Sequence, residues 1–160
     1  MEKIKRLSEL LHIRADARHD GQTVVWTNGC YDILHAGHVL YLQAAKAQGD
    51  LLILGLNSDA SVQRTKGPKR PIINERERAV VLAALSCVDY IVIFDDDSPY
   101  HLIAALQPDV YAKGGDYTID TINQDERRLV EGYGGRIALL PGVPGMSTSA
   151  VIEKILQAYK

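Results

Sequence analysis

The chain has 160 residues and a mass of 17.6 kDa, enough for one domain with a buried core and too short for two ordinary domains. Apolar residues make up 46% of the chain and charged residues 24%, which excludes disordered, collagen-like and fibrous proteins. The formal net charge of −2 argues against a nucleic-acid-binding surface, so any basic site must be local.

The two cysteines, Cys30 and Cys87, lie far apart and belong to no CxxC or Cys/His ligand pattern. They indicate neither a disulfide framework nor a structural zinc site, so we expect a protein of the reducing cytoplasm. The apolar stretch over residues 79–94 is interrupted by Ser86 and Asp89, and no membrane span is expected.

Hydrophobic patterning predicts one domain over residues 1–160, with an amphipathic helix over 1–17 in an N-terminal segment (1–20) and an α/β core over 21–160. The predicted strands are 23–27, 51–56, 90–94, 110–112 and 136–140. The predicted helices of the core are 37–48, 75–86, 99–106, 123–133 and 148–159. Apolar strands that alternate with helices are typical of a parallel sheet covered on both faces, so we predict a doubly wound, Rossmann-like α/β fold with five parallel strands.

The richest candidate site follows the first strand, because ligands of open α/β sheets bind beyond the carboxyl ends of the strands. Residues 28–38 match neither GxGxxG nor the Walker A pattern. They place His35 and His38 three residues apart at a helix start, with Gly37 between them. A helix N-terminus offers unpaired N–H groups, so this arrangement suits phosphates. A core histidine, or a metal pair formed with Asp32, is the alternative.

Six basic residues lie within residues 64–78, after the second strand. A solvated surface is the ordinary explanation of such a run. Its place on the ligand side favours a mobile loop over residues 65–73 in which Lys66 closes over a polyphosphate, with Arg78 pointing inward from the next helix.

Two later segments complete the candidate site. The segment Lys113-Gly114-Gly115-Asp116 follows the fourth strand, where a double glycine suits either a base or sugar pocket or a plain tight turn. Ser147 and Thr148 stand at the start of the last helix, where hydroxyls bind terminal phosphates or merely cap the helix.

Other conspicuous residues have structural explanations. The acidic run over residues 95–97 precedes a helix start, where carboxylates are stabilised by capping and the helix dipole, so no metal ligand is assigned. Trp26, Tyr41 and Met146 are interpreted as packing residues.

In this order the segments resemble the cytidylyltransferase-like nucleotidyltransferase superfamily over about residues 24–155. Its HxGH signature stands at His35-Ala36-Gly37-His38, and its hydroxyl-rich helix start at Ser147-Thr148-Ser149. Within the superfamily, the strings TNGCYDILHAGH, LNSDASVQRTKG, RPI, AKGGDY and MSTS most resemble the adenylyltransferase half of bifunctional heptose-phosphate kinase/adenylyltransferases. The resemblance implies the HxGH type of nucleotidyltransferase fold, with AMP transfer from ATP to a sugar 1-phosphate, D-glycero-D-manno-heptose 1-phosphate above all. It also implies Mg²⁺ carried by ATP, and a homodimer.

The resemblance also implies roles for individual residues. His35, His38, Lys66 and Arg78 would form the catalytic set on the nucleotide phosphates, and Asp32 would face the sugar phosphate. The implied nucleotide-binding residues are Asn28, Gly29, Cys30, Tyr31, Lys113, Gly114, Gly115, Asp116, Ser147 and Thr148. At the position of Cys30 related cytidylyltransferases have a threonine, so a phosphate contact there must come from backbone N–H, which disfavours CTP.

No nucleophilic side chain is required for such a reaction, because a phosphate monoester has a second pKa of about 6 and is already ionised at pH 7. Catalysis then consists of orienting two anions and stabilising charge on the phosphoryl groups. Two alternatives stay open. The first is the same chemistry with CTP and glycerol 3-phosphate or with ATP and FMN, and the second is a nucleotide-binding sensor without turnover.

Overall fold

A computed structural model describes residues 2–160, and its strands form one parallel sheet in the order β3-β2-β1-β4-β5. The strands are β1 Val24–Gly29, β2 Leu51–Asn57, β3 Tyr90–Phe94, β4 Val110–Gly114 and β5 Arg136–Leu140. The helices are α1 Leu7–His19, α2 Ala36–Lys46, α3 Asp59–Lys66, α4 Glu75–Ala83, α5 Tyr100–Leu106, α6 Gln124–Gly132 and α7 Thr148–Ala158. The predicted doubly wound α/β fold with five parallel strands is confirmed.

Each face of the sheet carries its own hydrophobic core. One core joins alternate strand residues such as Val25 to Leu42 of α2 and Leu82 of α4. The other joins Trp26 to residues of α1, α5 and α6, among them Ile103. Because successive side chains of a strand point to opposite faces, a sheet covered on both faces needs continuous apolar strands, which is the pattern seen in the sequence.

The neighbouring strands β1 and β4 separate toward their carboxyl ends. β1 pairs with β2 along six residue pairs from Val24 to Gly29, but with β4 only at Val25 and Trp26. The strand order reverses at this place, which is where open α/β sheets bind ligands. Tyr41, predicted as a packing residue, spans the opening with its hydroxyl group, which lies 2.7 Å from Thr27 Oγ1 and donates to the Ala112 carbonyl at 3.0 Å.

The N-terminal prediction was wrong at its start. The helix expected over residues 1–17 begins at Leu7, and residue 1 lies outside the described residues. The preceding residues run along the edge strand β3, where the Ile91 N–H donates to the Lys3 carbonyl at 2.9 Å and the Lys5 N–H to the Ile91 carbonyl at 2.8 Å. Pairing satisfies the open edge of β3, which a helix at this place would leave uncovered.

Helices α1 and α7 differ in how far their apolar residues are buried. α1 buries Leu10 and Ala17 in the core of its face, whereas α7 has no buried residue and exposes Ile155 and Leu156. α3 was not predicted as a helix, and it takes up the first two residues of the loop expected over 65–73. None of the helices in residues 2–160 has both the length and the hydropathy that a bilayer crossing requires.

Replacement of Gly55 by alanine should destabilise the fold, because the new Cβ would lie 2.5 Å from Cζ2 of the buried Trp26. We expect the free energy of unfolding in urea to fall by about 1–3 kcal/mol, the usual cost of overpacking. The matched control is Gly132→Ala at the end of α6, where a Cβ meets nothing within 4 Å. It should leave stability unchanged or raise it by up to about 1 kcal/mol. Equal effects of the two substitutions would contradict this account of the β1–β2 contact.

Candidate active site

A cavity of about 530 Å³ lies at the carboxyl ends of the central strands. Of the 15 predicted site residues, 13 line it, and Arg78 and Asp116 do not. The lining residues among them are Asn28, Gly29, Cys30, Tyr31, Asp32, His35, His38, Lys66, Lys113, Gly114, Gly115, Ser147 and Thr148. The fold therefore brings four segments that are distant in sequence to one place.

The two histidines cap the N-terminus of α2 with their own ring nitrogens. His35 is the N-cap residue, and its Nδ1 accepts from the Gly37 N–H at 3.1 Å. His38 reaches back so that its Nδ1 accepts from the His35 N–H at 3.3 Å. The rings stack with their centroids 3.9 Å apart. This is a capping box built from imidazoles instead of hydroxyl and carboxylate groups.

The capping hydrogen bonds assign the tautomer of both rings. A nitrogen that accepts a hydrogen bond carries no proton, so in each neutral imidazole the proton sits on Nε2. Nε2 of His35 is buried, and no polar group within residues 2–160 partners it. Such an orphaned donor costs about 1–3 kcal/mol, and a ligand that accepts from it would recover that cost. The helix start therefore presents N–H donors at the position expected for an anion.

The protonation state of His38 follows from its surroundings. Burial, and then the neighbouring ring of His35, lower the pKa of His38 to about 4. The ring is therefore neutral at pH 7, and it offers one hydrogen-bond donor without a full positive charge.

Gly37 makes the stacked arrangement possible. A Cβ at this position would lie 2.9 Å from Cε1 of His35 and 2.9 Å from Cβ of Met146. The glycine in the signature thus lets an imidazole lie against the first turn of α2. Met146, predicted as a packing residue, closes this side of the cavity while staying 46% exposed.

The carboxylate of Asp32 is engaged by the protein itself. It accepts from Arg70 Nε at 2.7 Å, from the Ile72 N–H at 2.8 Å and from the Ile73 N–H at 2.9 Å. Burial raises the pKa of this carboxyl, but these three donors outweigh burial and lower the pKa below its usual value. Asp32 therefore ties down the far end of the loop that was predicted to be mobile, and its carboxylate oxygens face protein donors and not the sugar phosphate predicted for them.

The start of α7 is attached to the same residue. The Thr148 hydroxyl donates to the Asp32 carbonyl at 2.7 Å. Ser147 is the N-cap, and its hydroxyl accepts from the Ala150 N–H at 3.0 Å. Both hydroxyl groups thus have partners within the protein, and Ser147 caps the helix as the capping interpretation expects, while both residues line the cavity.

Arg78 lies beneath the cavity and not in its wall. It is only 2% exposed, and its guanidinium donates to the Ile73 carbonyl at 2.9 Å, the Asn57 carbonyl at 3.0 Å and the Asp59 carboxylate at 2.8 Å. A fourth hydrogen bond goes to the Cys30 carbonyl. With its donors used in this way, Arg78 joins the ends of β1 and β2 to the basic loop, and its guanidinium faces protein groups and not the cavity where the phosphate contact was predicted.

The basic loop presents Lys66 and Arg70 to the cavity. The Lys66 ammonium makes no hydrogen bond or ion pair with the described residues, whereas Arg70 is held by Asp32. Arg70 was not among the predicted site residues, although it belongs to the basic run that drew attention to this loop.

The segment after β4 combines a packing glycine with a turn glycine. A Cβ on Gly114 would lie 2.5 Å from the ring of Tyr41, so this glycine makes room for the tyrosine that spans the sheet opening. Gly115 has φ +101°, which favours glycine in a turn. Lys113 Nζ lies 4.9 Å from the ring centroid of Tyr117, a lining residue next to the predicted segment that was not predicted itself. Asp116 is exposed outside the cavity.

Cys30 and Tyr31 line the cavity as neutral groups. Burial raises the pKa of the Cys30 thiol and, more strongly, that of the Tyr31 hydroxyl. Neither group is therefore poised to act as a nucleophile at pH 7. Within residues 2–160 no three His, Cys, Asp or Glu side chains lie close enough together to hold a metal ion.

The sequence profile of the cytidylyltransferase-like family matches residues 26–154. The chain belongs to the cytidylyltransferase-like family. The resemblance drawn from the HxGH signature and the hydroxyl-rich helix start is confirmed at this level.

Among the relatives of this family member is the bifunctional protein HldE of Geobacter sulfurreducens, 56% identical over 157 residues, which are 98% of this chain and 32% of that protein. HldE of Syntrophotalea carbinolica is 55% identical over 158 residues, 99% of this chain and 32% of that protein. The chain thus spans about a third of the length of these relatives.

Two solved structures share the fold. The lipopolysaccharide core biosynthesis protein of Thermoplasma volcanium is 26% identical, with a TM-score of 0.62, covering 77% of this chain and 98% of that one. The pantoate-beta-alanine ligase of Francisella tularensis is 14% identical, with a TM-score of 0.61, covering 96% of this chain and 78% of that one. The second likeness concerns the fold alone.

Replacement of Asp32 by asparagine should lower the free energy of unfolding by roughly 3 kcal/mol at pH 7, since it removes one partner of a buried ion pair. The pKa of Asp32 is lowered in the folded state, so its contribution is present above the unfolded value and is lost as pH falls through the folded value. The difference between wild type and variant in urea denaturation should therefore shrink as the pH is reduced from about 6 toward 3. The exposed Asp16→Asn is the control, and a difference that stays constant with pH would contradict the ionised state of Asp32.

Proposed function

We propose that the chain is a nucleotidyltransferase that transfers AMP from ATP to a sugar 1-phosphate and releases pyrophosphate. The observation that carries the proposal is the pair of stacked imidazoles at the start of α2, whose Nδ1 atoms cap the helix and leave the Nε2 protons for another acceptor. The buried and unpartnered Nε2 of His35 supports an anionic ligand at this place. The strong similarity to HldE proteins and the resemblance to bifunctional heptose-phosphate kinase/adenylyltransferases favour D-glycero-D-manno-heptose 1-phosphate as the acceptor and ADP-heptose as the product.

In the proposed reaction, an oxygen of the sugar phosphate forms a bond to the α-phosphorus of ATP. The bond from that phosphorus to the oxygen bridging to the β-phosphorus breaks, and pyrophosphate leaves with the electron pair. The acceptor is already an anion at pH 7, so no side chain has to remove a proton. ATP enters as its Mg²⁺ complex, in which phosphate oxygens and water hold the ion.

The histidines and the first turn of α2 act on the charge that develops on the phosphoryl groups. The neutral imidazole of His38 donates a hydrogen bond to a phosphate oxygen without the desolvation cost of a buried cation. The helix dipole adds a partial positive charge at the same position. Lys66 supplies a full charge from a side chain free to move toward the phosphates. In this proposal Arg78 and the Asp32 carboxylate keep the loops in place and do not touch the substrates.

The test of the proposed function is pyrophosphate release over a panel of ATP and CTP with heptose 1-phosphate, glycerol 3-phosphate and FMN. We expect pyrophosphate release only with the combination of ATP and heptose 1-phosphate. Release only with CTP or with another acceptor would replace the substrate assignment. Nucleotide binding without release in any combination would mean a nucleotide-binding sensor.

Replacement of His38 by alanine should lower kcat about 10²- to 10³-fold, the usual loss when one donor to a developing oxyanion is removed. The measurement is pyrophosphate release at saturating ATP and acceptor. His12, an exposed histidine of α1, provides the control substitution His12→Ala, which should leave kcat unchanged. Unchanged turnover in His38→Ala would remove the imidazole pair from the mechanism.

Replacement of Lys66 by alanine should raise KM for ATP about 10-fold, as expected for the loss of one charged hydrogen bond of about 1.4 kcal/mol. Lys69 lies three residues away, is exposed and does not line the cavity, so Lys69→Ala is the matched control. Similar KM values for the two variants would mean that the loop acts only through its general charge.

The oligomeric state stays a prediction. The resemblance implied a homodimer. On α1, Leu10 and Ala17 pack inward, and Leu11 is the large apolar residue left exposed. The exposed apolar residues Ile155 and Leu156 of α7 are the better candidates for a contact between copies. A cytoplasmic location is proposed from the dependence of the reaction on ATP.

A further inference from the structure

A buried chain of hydrogen bonds links α6 to the cavity wall. The Tyr111 hydroxyl on β4 shares its one proton between two acceptors, Oε2 of Glu126 on α6 at 2.8 Å and Oδ1 of Asn28 at the end of β1 at 2.9 Å. Tyr111 is 1% exposed and Glu126 is 4% exposed. Glu126 is fixed in turn by the Ser98 hydroxyl, which donates to its Oε1 at 2.8 Å. Of the residues in this hydrogen-bond network, only Asn28 lines the cavity.

The hydrogen-bond network fixes which end of the Asn28 amide faces the cavity. Oδ1 also lies 3.1 Å from Nε1 of the buried Trp26, an obligatory donor. Only the amide oxygen can accept from an indole N–H, so Oδ1 must stay on the buried side. Burial raises the pKa of Tyr111 well above its usual value, so the phenol also keeps its proton. The Nδ2 group of Asn28, which makes no hydrogen bond within residues 2–160, is left for a ligand.

Asn28 belongs to a different side of the cavity from the histidines. Trp26 and Tyr111 pair across β1 and β4 at the last contact before these strands separate, and both pack in the core under α1, α5 and α6. Asn28 follows Trp26 by two residues, and Lys113 follows Tyr111 by two, so strand alternation puts them on this same face. His35 and His38 stand on α2, which covers the opposite face.

The groups on this second side suit a phosphorylated sugar. An amide donor lies there with the ammonium of Lys113, which is 5.5 Å from the ring centroid of Tyr111 and lines the cavity. A sugar phosphate offers both an anionic group and hydroxyl acceptors to such a pair. With the nucleotide phosphates on the histidine side, the acceptor approaches the α-phosphorus from the side of Asn28, as in-line attack requires.

We propose that Glu126 and Tyr111 are positioning residues that hold the Asn28 amide toward the acceptor sugar phosphate. The inference rests on the proposed function and assigns Asn28 to the acceptor, in place of the nucleotide-binding role predicted from the sequence. It identifies a residue that selects the acceptor, and a buried pair that acts through it without touching substrate.

The test is a double-mutant cycle with Tyr111→Phe, Asn28→Ala and the double variant, assayed by pyrophosphate release with ATP and D-glycero-D-manno-heptose 1-phosphate. Asn28→Ala should raise KM for the sugar phosphate about 10- to 100-fold, the range for a lost hydrogen bond to a charged group. KM for ATP should change less than about twofold. Tyr111→Phe should raise the same KM about 5- to 10-fold in the wild-type background and have no further effect in the Asn28→Ala background.

Two substitutions separate positioning from stability. Asn28→Asp keeps an oxygen that accepts from Trp26 and Tyr111 but replaces the Nδ2 donor by a carboxylate oxygen, so a variant whose melting curve shows that it folds should impair acceptor binding at least as much as Asn28→Ala. Tyr133→Phe is the control for Tyr111→Phe, because it removes a phenol hydrogen bond of 2.7 Å to the Pro108 carbonyl away from the cavity. Its kinetic constants should match those of wild type.

The outcomes distinguish the inference from the proposed function. Equal effects of Tyr111→Phe in both backgrounds would show a purely structural role and overturn the inference alone. A rise in KM for ATP instead of the sugar phosphate would return Asn28 to the nucleotide and also overturn it. A wild-type chain that releases no pyrophosphate with heptose 1-phosphate overturns the proposed substrate, and with it the assignment of Asn28.

Discussion

A buried carboxylate, that of Asp32, holds the walls of the cavity together. Its oxygens accept from the loop that follows α3, and its backbone carbonyl accepts from the first residue of α7. A carboxylate without partners at this depth would be strongly destabilising, and residues 70–73 supply the three donors that it needs. The requirement to satisfy one charge thus ties the basic loop to the end of β1, and a hydrogen bond to the backbone carbonyl of the same residue ties the last helix there.

The two histidines show how capping and ligand binding are joined in one group. An N-cap serine uses its single oxygen on the helix, whereas an imidazole has a second nitrogen on the far side of the ring. In His35 and His38 one nitrogen completes the helix start and thereby sets the proton on the other. The donors are therefore oriented before any ligand arrives, which is the condition for electrostatic preorganisation.

Local sequence patterns predicted most of the helices and strands. The strands β3 and β5 were predicted to the residue, because continuous apolar runs flanked by turns leave few alternatives. The start of α1 was predicted wrongly, since pairing of residues 3–5 with the edge of β3 is a long-range interaction that no local pattern records. α3 was not predicted, because its eight residues are mostly polar and its stability comes from the Ser58 cap and from packing of Val62.

For the site, the sequence indicated which segments meet but not which way charged side chains turn. Lys66 and Arg78 belong to the same basic run, yet one is exposed at the cavity and the other is buried under it. The difference depends on the carbonyl groups that surround Arg78 after folding, and these come from three segments that are distant in sequence, at Cys30, Asn57 and Ile73. Asp32 was assigned to substrate for the same reason, since its donors lie about 40 residues further along the chain.

Tyr41 and Tyr111, on the two faces of the sheet where β1 and β4 separate, affect the selectivity of ligand binding. Tyr41 braces the separated strands from one face and Tyr111 from the other. Aromatic rings have few rotatable bonds, so these two hydrogen-bonded tyrosines restrict the separation of β1 and β4. A ligand that binds there does not have to separate the strands, so its binding energy remains available for discrimination between ligands of different shape.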